Sequence, residues 1–118
     1  MKNASFPRRL GYAIAGIRVV WQREQSFRVQ CAMALLAVAV TAALRPGWGW
    51  AALIGLCIAL VLALELANAA LEYLIDLIHP DIAEEIKFAK DAAAGAVLIA
   101  SIGSAIVGGL MVLDVLTR

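Results

Sequence analysis

The chain has 118 residues, 64% of them hydrophobic, with a mean hydropathy of +0.89. A soluble domain is about half apolar, so this composition excludes an ordinary soluble globule and points to an integral membrane protein. The net charge of +1 is uninformative as a sum. Its distribution is not: Lys2, Arg8, Arg9, Arg18, Arg23 and Arg28 precede the first apolar run, against Glu24 alone.

The length suits a single domain over residues 1–118 with about three spans of roughly 20 residues each. No cleavable signal peptide is expected, because the first apolar stretch starts near Val29 and lacks a small-residue cleavage site after it. About residues 7–25, Leu10, Ala13, Ile14, Ile17, Val20 and Trp21 recur at helical spacing, with Arg9, Arg18 and Arg23 off that stripe. This predicts an amphipathic helix lying in the membrane interface. A first span is predicted over about residues 27–44, ended by Arg45-Pro46-Gly47. Trp48 and Trp50 follow and suit an interface. A second, longer helix is predicted over about residues 48–78, with its end projecting into water. His79-Pro80-Asp81 breaks it, and Ile82 to Asp91 reads as a short polar link that could open the last helix. The third span is predicted over about residues 92–113. There Ala94, Gly95, Ser101, Gly103, Ser104, Gly108 and Gly109 suggest close helix packing. Cys31 and Cys57 fall inside apolar runs and read as packing residues, with no disulfide or metal assigned.

The positive-inside rule puts the basic amino terminus in the cytoplasm. The turn near Arg45 is then outside and the segment from His79 to Asp91 is cytoplasmic. Glu24, Glu72, Asp76, Lys90 and Asp91 thus meet at one boundary, with Glu65 just below.

Glu65, Asn68, Glu72 and Asp76 are spaced by three, four and four residues, so a helix stacks them on one stripe. Carboxylates at membrane depth are costly and usually mark function. Glu24 and Glu72 could hold a divalent cation between helices, in the manner of Mg²⁺ with phosphate oxygens and water. Glu65, the deeper acid, could accept a proton from a hydroxyl. Lys90 offers a cation where a polyphosphate could dock, although Lys90 and Asp91 also read as a helix-start ion pair. Asp76 reads as a water-facing residue and His79 as a loop residue. No Walker-type or protein-kinase glycine loop is present. From these residues alone, lipid phosphoryl transfer, proton or cation conduction by a membrane oligomer, and a plain assembly role all stay open.

Glu65-Leu-Ala-Asn68-Ala-Ala-Leu-Glu72, followed by Ala89-Lys90-Asp91-Ala-Ala-Ala-Gly-Ala-Val-Leu, resembles the small prokaryotic diacylglycerol kinase family, which includes undecaprenol kinases. The likeness extends to Gly16-Ile17-Arg18 and Glu24-Gln-Ser-Phe27-Arg28. The resemblance implies an all-α membrane protein: a homotrimer of three-span subunits, each with an amino-terminal surface helix. It implies transfer of the γ-phosphoryl group of ATP, with Mg²⁺, to a lipid alcohol, either diacylglycerol or undecaprenol, in the bacterial inner membrane. By that likeness Glu65 is the general base and Asn68 orients the reacting groups. Glu24 and Glu72 are the metal ligands and also touch nucleotide, with Tyr12, Asp81, Lys90 and Asp91 as further nucleotide contacts. Arg9 (or its neighbour Arg8), Gly16, Arg18, Trp21, Phe27, Arg28, Gln30, Glu65 and Ala94 fall at the lipid acceptor. The chain departs from the enterobacterial pattern at Val29-Gln30, Ala83 and Ala94, which bears on lipid preference more than on the reaction. The expected partners are ATP, the lipid alcohol, the bilayer and two further copies of the chain, with no nucleic acid.

Overall fold

The computed structural model describes residues 2–79, 81 and 83–118. These form four helices and no strand: α1 Phe6–Arg23, α2 Gln25–Leu44, α3 Trp48–Ile78 and α4 Glu84–Leu116. The all-α expectation is met. The helices α2, α3 and α4 are each long and apolar enough to cross a membrane. At 1.5 Å per residue α2 is about 30 Å long, a match to the hydrocarbon core, whereas α3 and α4 are about 46 and 50 Å and overrun it.

Local chemistry sets each boundary. Pro7 sits in the first turn of α1, where a missing N–H costs nothing. Glu24 separates α1 from α2 with an extended backbone, φ −112° and ψ 108°. The Glu24 N–H bonds the Val20 carbonyl at 2.8 Å, and Arg28 folds back to donate to the Trp21 and Gln22 carbonyls, satisfying the open end of α1. Arg45 ends α2 in the left-handed region at φ 50°, and Gly47 opens α3 at φ 111°. The predicted Arg45-Pro46-Gly47 turn is therefore present. Pro80, part of the predicted break after α3, lies outside the described residues, as does Ile82 at the start of the predicted link.

The last helix starts at Glu84, so most of the polar link does open it, ahead of the span predicted from about residue 92. Glu84 and Glu85 in the first turn complement the helix dipole, and Lys87 pairs with Asp91 one turn on.

Helix α3 is the spine, packed along α4 and α2, while α2 and α4 barely meet. Its inward stripe is Ile54, Val61, Glu65 and Ala69. Val20, Phe27 and Ala69 form a small core against which Cys31, Leu62, Leu66 and Tyr73 pack. Both cysteines are free. Large apolar side chains such as Leu35, Leu56 and Ile99 point outward, so the spans need an apolar surrounding.

Where α2 and α4 diverge, a groove of about 610 Å³ opens, lined by Gln30, Met33, Cys57, Ser101, Ser104 and Gly108 among others. Gly95, Gly103, Gly108 and Gly109 all face space that a methyl group would enter freely, although α4 as a whole packs along α3.

Polar side chains close the far end of the bundle. Trp50 donates its indole N–H to Asp114 at 2.9 Å. Arg118 donates to the same carboxylate oxygen at 2.8 Å and to the Pro46 carbonyl at 2.7 Å. In hydrocarbon, apolar contact drives little helix association, so such bonds hold helices together there.

Candidate active site

The polar stripe of α3 grades outward as its position predicts. Glu65 is buried at 7% exposure, Asn68 and Glu72 are half-buried, and Asp76 is exposed. Glu65 turns into the bundle, not toward the surroundings, and Ser26 of α2 lies within hydrogen-bond reach of its Oε2 at 3.4 Å. One turn on, the Oδ1 of Asn68 is buried with no partner among the described residues. A buried acceptor left open is costly, and it suits a group that arrives with a donor or a cation.

Glu24 comes to the same end from the α1–α2 junction. Its Oε1 accepts the phenol O–H of Tyr73 at 2.8 Å, and the Arg23 guanidinium lies over the Tyr73 ring, 5.4 Å from its centre. Both Glu24 and Glu72 bear electrostatically on that phenol. Lys90 reaches across from α4 to Asp76 on α3. The expected Lys90–Asp91 pair is thus not formed: Lys90 takes Asp76, and Asp91 takes Lys87 at 2.7 Å. Asp76 is exposed as expected, but it also anchors α4 to α3.

The remaining predicted residues divide. Asp81 is exposed, and its backbone carbonyl lies 3.0 Å from His79 Nδ1. Arg9, Tyr12, Gly16 and Arg18 are exposed along α1, whose one buried residue is Val20. Trp21 stands edge-on to Phe27 with ring centres 6.4 Å apart. Phe27 is 4% exposed and sits in the core, and Arg28 caps α1. Gln30 reaches Ser101 at 3.5 Å across the groove, and Ala94 is exposed on α4. One chain therefore places Glu65, Asn68 and Glu72 on one stripe of α3, ties Glu24 to Tyr73 beside Glu72, and links Lys90 to Asp76. It does not bring Tyr12 or Arg9 to them.

No group of three or more His, Cys, Asp or Glu side chains that could hold a metal comes together among the described residues. A cage built of protein alone is not what this site offers. The half-buried carboxylates of Glu24 and Glu72 and the unsatisfied Asn68 Oδ1 are oxygen donors of the kind Mg²⁺ takes when phosphate oxygens and water complete its shell.

The model of the prokaryotic diacylglycerol kinase family matches residues 11–112. The chain belongs to this family. A diacylglycerol kinase of Synechocystis sp. is 37% identical over 103 residues, covering 86% of this chain and 59% of that protein. The diacylglycerol kinase of Escherichia coli strain K12 is 35% identical over 92 residues, covering 78% of this chain and 75% of its own length. The chain thus spans less than two thirds of the Synechocystis relative. For a prokaryotic diacylglycerol kinase family member with three helices fit to cross a membrane, a multi-pass membrane protein follows. The family match holds Glu24, Glu65, Asn68, Glu72, Lys90 and Asp91, and leaves Arg8 and Arg9 outside.

Two site residues escaped the sequence reading. Tyr73 follows Glu72 directly, and a phenol beside an intramembrane carboxylate was the available signal. Ser26 lies within the Glu24-Gln-Ser-Phe27-Arg28 motif, but nothing local marks it as the partner of an acid 39 residues away.

Proposed function

We propose that this protein is a lipid kinase that transfers the γ-phosphoryl group of ATP to the hydroxyl of a membrane lipid alcohol. The observation that carries the reading is Glu65, a carboxylate held inside the bundle on the stripe that leads out to Asn68 and Glu72. Family membership supplies the reaction class, and the names of the relatives favour diacylglycerol over undecaprenol as acceptor.

In this mechanism the lipid hydroxyl approaches Glu65 from the membrane side. Its oxygen forms a bond to the γ-phosphorus as the bond from that phosphorus to the β-bridging oxygen breaks, releasing ADP. The hydroxyl proton passes to a Glu65 carboxylate oxygen. Asn68 Oδ1, otherwise unsatisfied, orients the incoming groups. Glu24 and Glu72 would hold Mg²⁺, which when bound neutralises charge on the phosphate oxygens. Lys90 and Asp91 on α4 contact the nucleotide, and Lys90 leaves Asp76 to do so. The positions on α1 that stand apart from Glu65 in one chain, Arg9, Tyr12, Gly16 and Arg18, reach a site in a homotrimer, where α1 lies on the cytoplasmic face of the inner membrane. Such an arrangement also gives the open face of α4 a partner.

The test is direct. Purified protein is offered radiolabelled ATP with diacylglycerol and undecaprenol together, and the products are identified by mass spectrometry. Labelled phosphatidic acid is the expected product. Labelled undecaprenyl phosphate alone would move the acceptor to the polyprenol. No labelled lipid, together with ion flux into sealed liposomes without nucleotide, would replace the kinase reading by conduction.

A further inference from the structure

We propose that Tyr73 is a positioning residue that sets the Glu24 carboxylate for its cation. The inference rests on the lipid-kinase reading and on Glu24 as a metal ligand, and it adds the group that aims that ligand.

Glu24 has no helix to steady it. It sits at the break between α1 and α2, where the backbone is extended. A glutamate there has several rotamers open, and ordering it costs entropy. Tyr73 removes that freedom from across the interface. Its O–H donates to Glu24 Oε1 at 2.8 Å. A phenol carries a single O–H, so this bond fixes the orientation of the carboxylate while Oε2 keeps its lone pairs for a cation. Hydrogen bonds of this kind to a ligating carboxylate orient it and tune its affinity.

Tyr73 is itself held. Its ring packs on the cluster of Val20, Phe27 and Ala69, and the Arg23 guanidinium covers one face. It also directly follows Glu72 on α3. The bond therefore ties one proposed ligand, Glu24, to the residue next to the other. No other side chain among the described residues donates a hydrogen bond to Glu24.

The experiment uses the full chain in detergent and compares wild type with Tyr73→Phe, which keeps the ring in its cluster and removes only the O–H. Mn²⁺ is titrated in the presence of a non-hydrolysable ATP analogue, and free Mn²⁺ is read by electron paramagnetic resonance. The expected result is about tenfold weaker Mn²⁺ retention, with the lipid KM and the melting temperature unchanged. In a Glu24→Gln background the same substitution is expected to add nothing, because Tyr73 acts through Glu24. Equal Mn²⁺ retention overturns the inference, as does a lowered melting temperature with unchanged retention, which would make the bond structural. A further loss in the Glu24→Gln background also overturns it. If the wild type forms no labelled lipid from ATP, the kinase reading fails and takes the inference with it. If the wild type is active and Tyr73→Phe holds Mn²⁺ as tightly, the inference alone fails.

Discussion

Ser26 on α2 and Glu65 on α3 face each other across the bundle, with the serine Oγ 3.4 Å from the glutamate Oε2. The one buried carboxylate among the described residues therefore has a hydroxyl at its side and is not bonded to a cation. This is the carboxylate proposed to take the proton of the acceptor hydroxyl.

Glu65→Gln keeps the shape and removes the proposed base. General-base catalysis is worth on the order of a hundredfold or more, and labelled lipid in a radiolabelled-ATP assay should fall by that much. The helical content and elution volume of the detergent-solubilised protein should not change. Activity near wild type would remove the assignment of Glu65 as base.

Ser26→Ala should act more mildly. A neutral hydroxyl contributes about 1 kcal/mol net, and this bond is long, so a loss of a few-fold in kcat with little change in lipid KM is expected. Initial rates across a lipid titration read both. A rise in lipid KM at constant kcat would instead place Ser26 on the acceptor.

Lys90→Ala separates two roles of one ammonium. Its bridge to Asp76 joins a partly exposed lysine to an exposed acid, and such pairs contribute at most about 1 kcal/mol. Thermal stability should move little while the KM for ATP rises. An unchanged KM with a lower melting temperature would leave Lys90 as a tie between α3 and α4 only.

Gly47→Ala tests the turn remote from the chemistry. Its φ of 111° belongs to a region that side chains avoid, yet nothing stands within 4 Å of the methyl position. The penalty is thus backbone strain alone, about 1–3 kcal/mol. A lower melting temperature with normal activity per folded molecule is expected, measured by thermal unfolding in detergent beside an activity assay.

Much of this fold was legible because local chemistry writes it. Arg45-Pro46-Gly47 stops a helix wherever it falls, and long apolar runs have few alternatives to spanning. The inward turn of Glu65 was legible for the same kind of reason, since a carboxylate facing hydrocarbon has nothing to solvate it. The residue at which α4 starts was less so, because the polar run before Ala92 fits a link or a first helical turn until the pairing of Lys87 with Asp91 and the acids at the first turn are weighed together. The bridge from Lys90 to Asp76 and the bond from Tyr73 to Glu24 depend on helix placement, and no spacing along the chain encodes it. Spacing likewise does not show which neighbour the glycines of α4 face, because within one chain they look onto open space while α4 packs along α3.

The knot of Trp50, Asp114, Arg118 and the Pro46 carbonyl has a mechanical consequence. A set of rods gripped at one extremity bends least beside the grip and most at the free tips. Here the opposite extremity is tied as well, by Lys90 to Asp76 and by Tyr73 to Glu24, so neither tip is loose and the spacing of α3 from its neighbours is set at both ends.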